Sequence, residues 1–134
     1  MTARLLLLAH GRSGDKGDTV NIGVIARRET WYPFLARELA AERLAAHLAP
    51  LARGPVERYE LPNLGALNFV VRRALGGGGA VSLRLDAQGK TFAQAVLRMA
   101  IEVPDELAAE AVAYWQGHVP PYCLVTPGHG AGPR

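Results

Sequence analysis

The chain has 134 residues, 49% hydrophobic and 20% charged, which is typical of one globular domain with a single core. Its formal net charge of +3 comes from arginines scattered along the whole sequence, whereas nucleic-acid binders concentrate basic residues, so we expect no nucleic-acid partner. The single cysteine, Cys123, excludes an intrachain disulfide framework and a cysteine-based zinc site. No apolar run has the length of a signal-peptide core or a membrane span. The sequence therefore predicts a cytoplasmic protein with no membrane partner.

Two short apolar runs near the start predict two buried strands. Residues 4–9 form a leucine-rich run stopped by a glycine, and residues 19–27 are rich in Val and Ile. Between them stands HGRSGDKGDTVNIG, residues 10–23, in which four glycines are mixed with acidic, basic and amide side chains. We expect this motif to be the loop that joins the two strands.

A long helix and a third strand are predicted next. Apolar side chains recur at three- and four-residue steps from Trp31 to Leu51, which indicates one apolar face of a helix. Thr30 and Pro33 are residue types typical of a helix start. Residues 56–61, VERYEL, then alternate apolar with charged side chains, as a strand does.

The second half of the sequence is less regular. Apolar steps of three or four residues between Leu64 and Leu75 favour a helix, which the glycines at 76–79 would end. Clean alternation over residues 80–86 predicts a half-buried strand. The alternation returns at residues 97–103, but its phase slips before them, so that residues 90–96 are either a short helix or a bulged strand.

Residues 106–116 predict a final helix, opened by Pro104 and Asp105, and residues 117–134 are too rich in Pro and Gly to be regular. We therefore expect a domain at residues 1–116 followed by a tail at residues 117–134. Strands separated by amphipathic helices predict an α+β two-layer sandwich of the ferredoxin-like type, a mixed β-sheet with helices on one face. Because the other face stays uncovered, we also expect a homo-oligomer.

The glycine-rich motif has the residue types of an anion site. Glycines at 11, 14 and 17 would let a loop aim successive N–H groups at one oxyanion. Arg12 and Lys16 would supply positive charge, and Asn21 a directional hydrogen bond. These residue types suit a phosphate or a carboxylate.

Other interpretations of the motif stay open. The spacing of Asp15 and Asp18 could hold a hard cation or present one carboxylate as a general base. In a purely structural interpretation, both acids bond their own backbone in a rigid turn and Lys16 neutralises them. Of the four histidines, only His10 lies beside the motif, and none has the short pairing of a metal site, so no metal is expected.

Four blocks of this sequence closely resemble one known family. HGRSGDKGDTVNIGVIAR, ELPNLGALNFVVRRALGGGG, SLRLDAQGK and RMAIEVP occur in that order. Together, over residues 3–104, they resemble the ferredoxin-fold domain at the C-terminal end of the acyclic terpene utilisation proteins of the AtuA type. The resemblance implies a role in the degradation of branched or terpenoid acids as coenzyme A thioesters. It also implies a large AtuA-like partner subunit, because such domains resemble small proteins that accompany one.

Residues 12–18, RSGDKGD, and Asn21 match the signature of that family. The resemblance therefore favours a binding role for this motif. The second block offers Asn63 and Asn68 near a helix start, where free N–H groups favour anions. The leading hypothesis is an accessory or small-subunit domain that contributes an anion site to an acyl-CoA enzyme. One alternative is a self-sufficient hydratase or lyase on acyl thioesters, with Asp15 or Asp18 as base and Lys16 as electrostatic stabiliser; another is a non-catalytic homo-oligomeric module. The expected ligand-binding residues are His10, Arg12, Ser13, Gly14, Lys16, Gly17, Asn21, Asn63 and Asn68.

Overall fold

The computed structural model describes residues 1–16, 19–49, 54–73 and 92–116, with the backbone alone at residues 15 and 16. These residues form an α+β fold in which helices cover one face of an antiparallel sheet, as expected for a ferredoxin-like sandwich. The described strands are β1 (Thr2–Arg4), β2 (Ala9–Lys16), β3 (Thr19–Ala26), β4 (Val56–Leu61), β5 (Ala66–Val71) and β6 (Ala100–Glu102). The described helices are α1 (Tyr32–Glu38), α2 (Ala41–Leu48), α3 (92–97) and α4 (Asp105–Trp115).

Four strands form the main sheet, in the order β2-β3-β5-β4, and β1 pairs with β6 in a second, two-stranded sheet. Every pairing between described strands is antiparallel, so the parallel pair of a mixed sheet is not among them. The predicted strand at residues 80–86, the glycines at 76–79 and the tail at 117–134 lie outside the described residues. The two hairpins β2–β3 and β4–β5 thus supply the whole main sheet in the described part of the chain.

The leucine run near the start is not the continuous strand that its composition predicts. Leu5–Leu7 forms a 3₁₀ turn between β1 and β2, closed by a 2.9 Å hydrogen bond from the Leu8 amide to the Leu5 carbonyl. A strand would turn successive leucines to opposite sides, whereas the turn buries the adjacent Leu7 and Leu8 together with Leu5. The strand predicted over residues 4–9 is therefore interrupted by a turn, because the turn buries two leucines that are adjacent in sequence.

The glycine-rich motif is also not a loop. Residues 9–16 form strand β2, which pairs with β3 from Ala9 opposite Ala26 to Lys16 opposite Thr19. The β-branched residues of β3 pair well in a sheet, and this pairing overrides the low strand preference of glycine in β2. Gly11 fits its place because a Cβ there would stand 3.4 Å from both the Gly23 carbonyl oxygen and Leu97 Cγ. The absence of a side chain lets α3 approach the strand closely.

The predicted long helix is divided. A 3₁₀ turn at Glu29–Trp31 leads into α1, and the helix stops at Leu39 and Ala40, whose ψ angles are 74° and 154°. The sequence offers no glycine or proline at this break. Arg43 stabilises it from α2, since its guanidinium donates to the Glu38 carbonyl at 3.3 Å and pairs with the Glu38 carboxylate at 3.1 Å.

The helix predicted between Leu64 and Leu75 is wrong. Pro62–Leu64 forms a 3₁₀ turn that ends at Gly65 with a φ of +60°, and β5 follows at residues 66–71. Leu67, Phe69 and Val71 are buried in the core, with the two-residue period of a strand. The four-residue step from Leu67 to Val71 fits a helix as well, which is why the sequence pattern suggests one. As an inner strand between β3 and β4, β5 gains pairing on both edges.

The remaining predictions hold more closely. Strands β3 and β4 and helix α4 form as predicted, and residues 92–97 choose the helical alternative before β6. Helix α4 is fixed to the start of the chain by Trp115, whose buried indole N–H donates to the Leu7 carbonyl at 2.9 Å. None of the helices in the described ranges has the length and apolar run that a bilayer crossing requires.

The main sheet has two unlike faces. One face, called the core face, lies in the single hydrophobic core together with the buried side chains of α1, α2 and α3. Arg58 ties this face to α1 by donating to the Ala36 carbonyl at 2.7 Å. Alternation along the strands places the other side chains on the opposite face, called the open face. The core face includes Val20, Ile22, Val24, Leu67, Phe69 and Val71, and the open face includes Arg12, Asn21, Gly23, Tyr59 and Asn68.

Candidate anion-binding site

A row of residues crosses the open face at one level. Arg12 on β2 is the register partner of Gly23 on β3, Gly23 is the partner of Asn68 on β5, and Asn68 is the partner of Tyr59 on β4. The next row contains Gly14 opposite Asn21. Cross-strand partners stand about 5 Å apart, so the three neighbouring strands β2, β3 and β5 bring positive charge and two amides to one region of the open face.

These residues line a shallow pocket of about 340 Å³. Its walls are Arg12, Ser13, Gly14, Asn21, Gly23 and Asn68. The two glycines leave open space where side chains would stand: a Cβ on Gly14 would have no heavy atom within 4 Å, and one on Gly23 would meet the Arg12 carbonyl oxygen and Ile25 Cδ1 at 3.9 Å. The floor is therefore open backbone between a guanidinium group and two carboxamides.

Three polar side chains of the pocket, those of Arg12, Asn21 and Asn68, are available to a ligand. The side chains of Arg12, Asn21 and Asn68 make no hydrogen bond or ion pair with another residue of the described ranges. Arg12 and Asn21 are exposed, and Asn68 is half-buried. No carboxylate is among the lining residues that the structure describes. A guanidinium fork flanked by amide donors fits a phosphate or carboxylate oxygen.

One acidic side chain of the open face, that of Glu57, is already paired with a cation. Glu57 on β4 accepts hydrogen bonds from Arg72 Nε at 3.1 Å, from Arg72 Nη2 at 3.0 Å and from Tyr59 Oη at 2.9 Å. The hydrogen bonds from Arg72, followed by the one from Tyr59, lower the pKa of Glu57. Its charge is therefore paired within the β4 side of the sheet and does not oppose Arg12.

His10 stands on the same face, two residues before Arg12, but does not line the pocket. Desolvation of the ring, followed by the charge of Arg27, lowers the pKa of His10 below its ordinary value of 6.5. The imidazole is thus mostly neutral at pH 7. Among the described lining residues, the positive charge comes from Arg12.

Ser13 borders the pocket differently from its neighbours. Its register partner is the buried Ile22, so its side chain lies on the opposite side of the sheet from that of Arg12. Gly17 and Asp18 lie outside the described residues, as do the side chains of Asp15 and Lys16. The structure therefore tests neither the general base nor the second cation of the motif.

The two asparagines of the second block are separated. Asn68 joins the pocket because β5 runs beside β3, whereas Asn63 is exposed in the 3₁₀ turn at Pro62–Leu64 and does not line it. The predicted helix start between them does not form, so its free N–H groups are not part of the site. The predicted nest of backbone N–H groups is also wrong at Gly11 and Gly14. Both residues belong to strand β2, so the backbone there does not turn around one point.

Gly23 is the lining residue that the sequence analysis missed. It is the last glycine of the motif and stands inside a run of β-branched residues. A glycine within a strand indicates a bulge or a close approach by another group, and that signal could have marked it. Among the described residues no three His, Cys, Asp or Glu side chains come together as a metal site would require.

Comparison with known proteins identifies the family. The family model described as the AtuA ferredoxin-like domain matches residues 3–102, which include every strand of the main sheet and the whole pocket. Neither the curated proteins nor the solved structures yield a match to this chain. The chain belongs to the AtuA ferredoxin-like domain family.

Proposed function

We propose that this protein is an accessory or small-subunit domain of an AtuA-like system that acts on branched or terpenoid acyl-CoA. In this proposal the open face binds a phosphate of the coenzyme A moiety. The observation that carries it is the pocket itself, where Arg12, Asn21 and Asn68 converge with no acidic side chain among the described lining residues. Family membership supports the choice of acyl-CoA, because the resemblance to terpene utilisation proteins implies thioester substrates.

The pocket performs recognition rather than bond breaking. Arg12 supplies the charge, and the amides of Asn21 and Asn68 can donate to further oxygens of the same phosphate. The glycines at 14 and 23 admit the group close to the backbone. In this proposal the described lining residues bind the phosphate, and a partner subunit handles the reacting thioester.

The same side of the molecule offers a place for that subunit. Tyr59, Leu61 and Leu64 are exposed by 48%, 41% and 69% at the β4 end of the sheet. Clustered apolar side chains beside a polar site are typical of contact surfaces. We propose that a large AtuA-like subunit covers them and closes the pocket; a second copy of this chain is the alternative occupant.

Titration calorimetry with coenzyme A tests the binding half of the proposal. Arg12→Gln should weaken the affinity by about tenfold or more, since a hydrogen bond to a charged group contributes about 1.5–3 kcal/mol. Arg37→Gln is the matched control, an exposed arginine on α1 that is remote from the pocket in the fold. Equal affinities of the Arg12 variant and the wild type would refute the site.

Purification of the tagged protein from its native cells, with the intact mass of the complex, tests the partner half. A stoichiometric AtuA-like large subunit is the expected result. Its loss on substituting Leu64 by Glu would assign the contact to the exposed apolar cluster. Recovery of the homo-oligomer alone, with turnover of an acyl thioester, would contradict the accessory role and favour a self-sufficient enzyme.

A further inference from the structure

A second cleft, away from the open face, has a different chemistry. It lies between β1 with its 3₁₀ turn and helix α3, and encloses about 400 Å³. Leu6 and Leu97 are half-buried and give it an apolar floor, whereas Arg4, Gln94 and Arg98 form its polar rim. None of the lining residues in the described ranges is acidic.

Both arginines are held in place by the backbone beneath them. The Leu5 amide donates to the Met99 carbonyl at 2.8 Å, joining the residue after Arg4 to the residue after Arg98. The Arg98 amide in turn donates to the Gln94 carbonyl at 3.1 Å at the end of α3. These hydrogen bonds join the backbone at all three polar rim residues. They therefore fix the distances between the backbone positions of these residues.

The charge of this rim is not compensated. Arg4 and Arg98 form no ion pair or hydrogen bond through their side chains with any residue in the described ranges. A third arginine nearby, Arg43, donates to the Ala100 carbonyl at 3.0 Å but is paired with Glu38. The cleft thus combines two unpaired guanidinium groups with aliphatic side chains.

The floor is fixed as firmly as the rim. Arg27 Nε donates to the Leu6 carbonyl at 3.2 Å, and Leu97 packs against strand β2, since its Cγ would stand 3.4 Å from a Cβ on Gly11. Leu6 and Leu97 therefore present a preformed apolar surface that remains partly open. A ligand that covered it would remove that surface from water.

We propose that this cleft binds an amphiphilic carboxylate, a medium-length aliphatic chain that ends in one carboxyl group. The guanidinium forks of Arg4 and Arg98 hold the carboxylate, the amide of Gln94 donates a further hydrogen bond, and the chain lies on Leu6 and Leu97. An inorganic anion would leave the leucines unused, and an alcohol of the same length would leave the arginines unpaired.

Titration calorimetry of the full chain with sodium octanoate tests this site. Octanoate should bind, and 1-octanol and inorganic phosphate should each bind at least tenfold more weakly or not at all. Octanol binding as tightly as octanoate would remove the role of the arginines. Phosphate binding as tightly as octanoate would remove the role of the leucines, and absence of octanoate binding would overturn the proposal.

Substitution locates the site. Arg98→Gln should weaken octanoate binding by about tenfold or more, Arg98→Lys should give an intermediate loss because the charge stays and the fork is lost, and Arg37→Gln should change nothing. A thermal melt of each variant shows that the fold is kept, and Gln94→Ala serves as the second probe if Arg98→Gln does not fold. Unchanged affinity in both the Arg98 and Gln94 variants would overturn the site. The outcome is independent of coenzyme A binding, which depends on Arg12.

Discussion

The core face and the open face of the main sheet are made by the same strands, yet they carry different properties. On β5, Phe69 is fully buried, and its neighbour Asn68 borders the pocket on the other side. On β3, Ile22 is fully buried between Asn21 and Gly23, which both line the pocket. One residue of sequence therefore separates a side chain that stabilises the fold from one available to a ligand. The comparison indicates that stability and binding can be changed separately in this domain.

The largest effect should come from Phe69→Ala. Loss of a fully buried aromatic ring leaves a cavity in the core, and such truncations lower the free energy of unfolding by about 3–5 kcal/mol. Asn68→Ala is the matched variant on the open face, and we expect it to change stability by less than about 0.5 kcal/mol. Urea denaturation measures both. Similar losses in the two variants would break the division between the faces.

Gly23→Ala should change binding without harming the fold. The new methyl group would stand 3.9 Å from its nearest neighbours, so it enters the pocket without a clash. Alanine also restricts the unfolded chain, and stability should stay equal or rise by up to about 1 kcal/mol. Coenzyme A affinity should fall several-fold because the methyl occupies the floor. Unaltered affinity in calorimetry would show that the ligand does not approach the backbone here.

The third effect is a dependence of stability on pH. Desolvation and the charge of Arg27 lower the pKa of His10 in the folded state. His10 is therefore protonated more readily in the unfolded chain than in the folded protein. Stability contributed by neutral His10 is present above pH 6.5 and is lost as the pH falls below that value. His10→Gln should flatten the stability profile in this range, as measured by urea denaturation at several pH values. A profile that stays as steep in the variant would assign the dependence to another group.

The smallest effect is expected at the exposed pair of Glu57 and Arg72. Hydrogen bonds from Arg72 lower the pKa of Glu57 below 4.5, so its contribution is present above that pH and is lost as the pH falls through the lowered value. Exposed ion pairs contribute little and are screened by salt. Glu57→Gln should therefore shift the melting temperature far less than Phe69→Ala, and about 1 M NaCl should abolish the difference. A larger shift than that of Phe69→Ala would contradict the assignment of stability to the core face.

The sequence predicted the family, the fold class and the members of the pocket better than it predicted their geometry. Arg12, Gly14, Asn21 and Asn68 were recognisable from residue type and resemblance. Their arrangement was not, because the pairing of β2 with β3 is a tertiary effect that overrides the turn preference of RSGDKG. A loop was expected where the structure has a strand whose alternation sends Arg12 and Ser13 to opposite sides.

Two further errors have a common cause. The step from Leu67 to Val71 fits a helix and a strand equally, and only the neighbours β3 and β4 decide for the strand. The helix break at Leu39 and Ala40 likewise has no glycine or proline to announce it in the sequence. It is stabilised instead by a side chain of the next helix, that of Arg43. Where local signals are ambiguous, contacts distant in sequence select the structure.

Titration of the isotope-labelled protein with coenzyme A, followed by amide chemical shifts, tests the central claim most directly. The claim is that the open face binds the ligand while the core face maintains the fold. The account predicts shifts concentrated at Arg12, Gly14, Asn21, Gly23 and Asn68, with their loss in Arg12→Gln. Shifts confined to another part of the molecule, or no shifts at saturating coenzyme A, would contradict it.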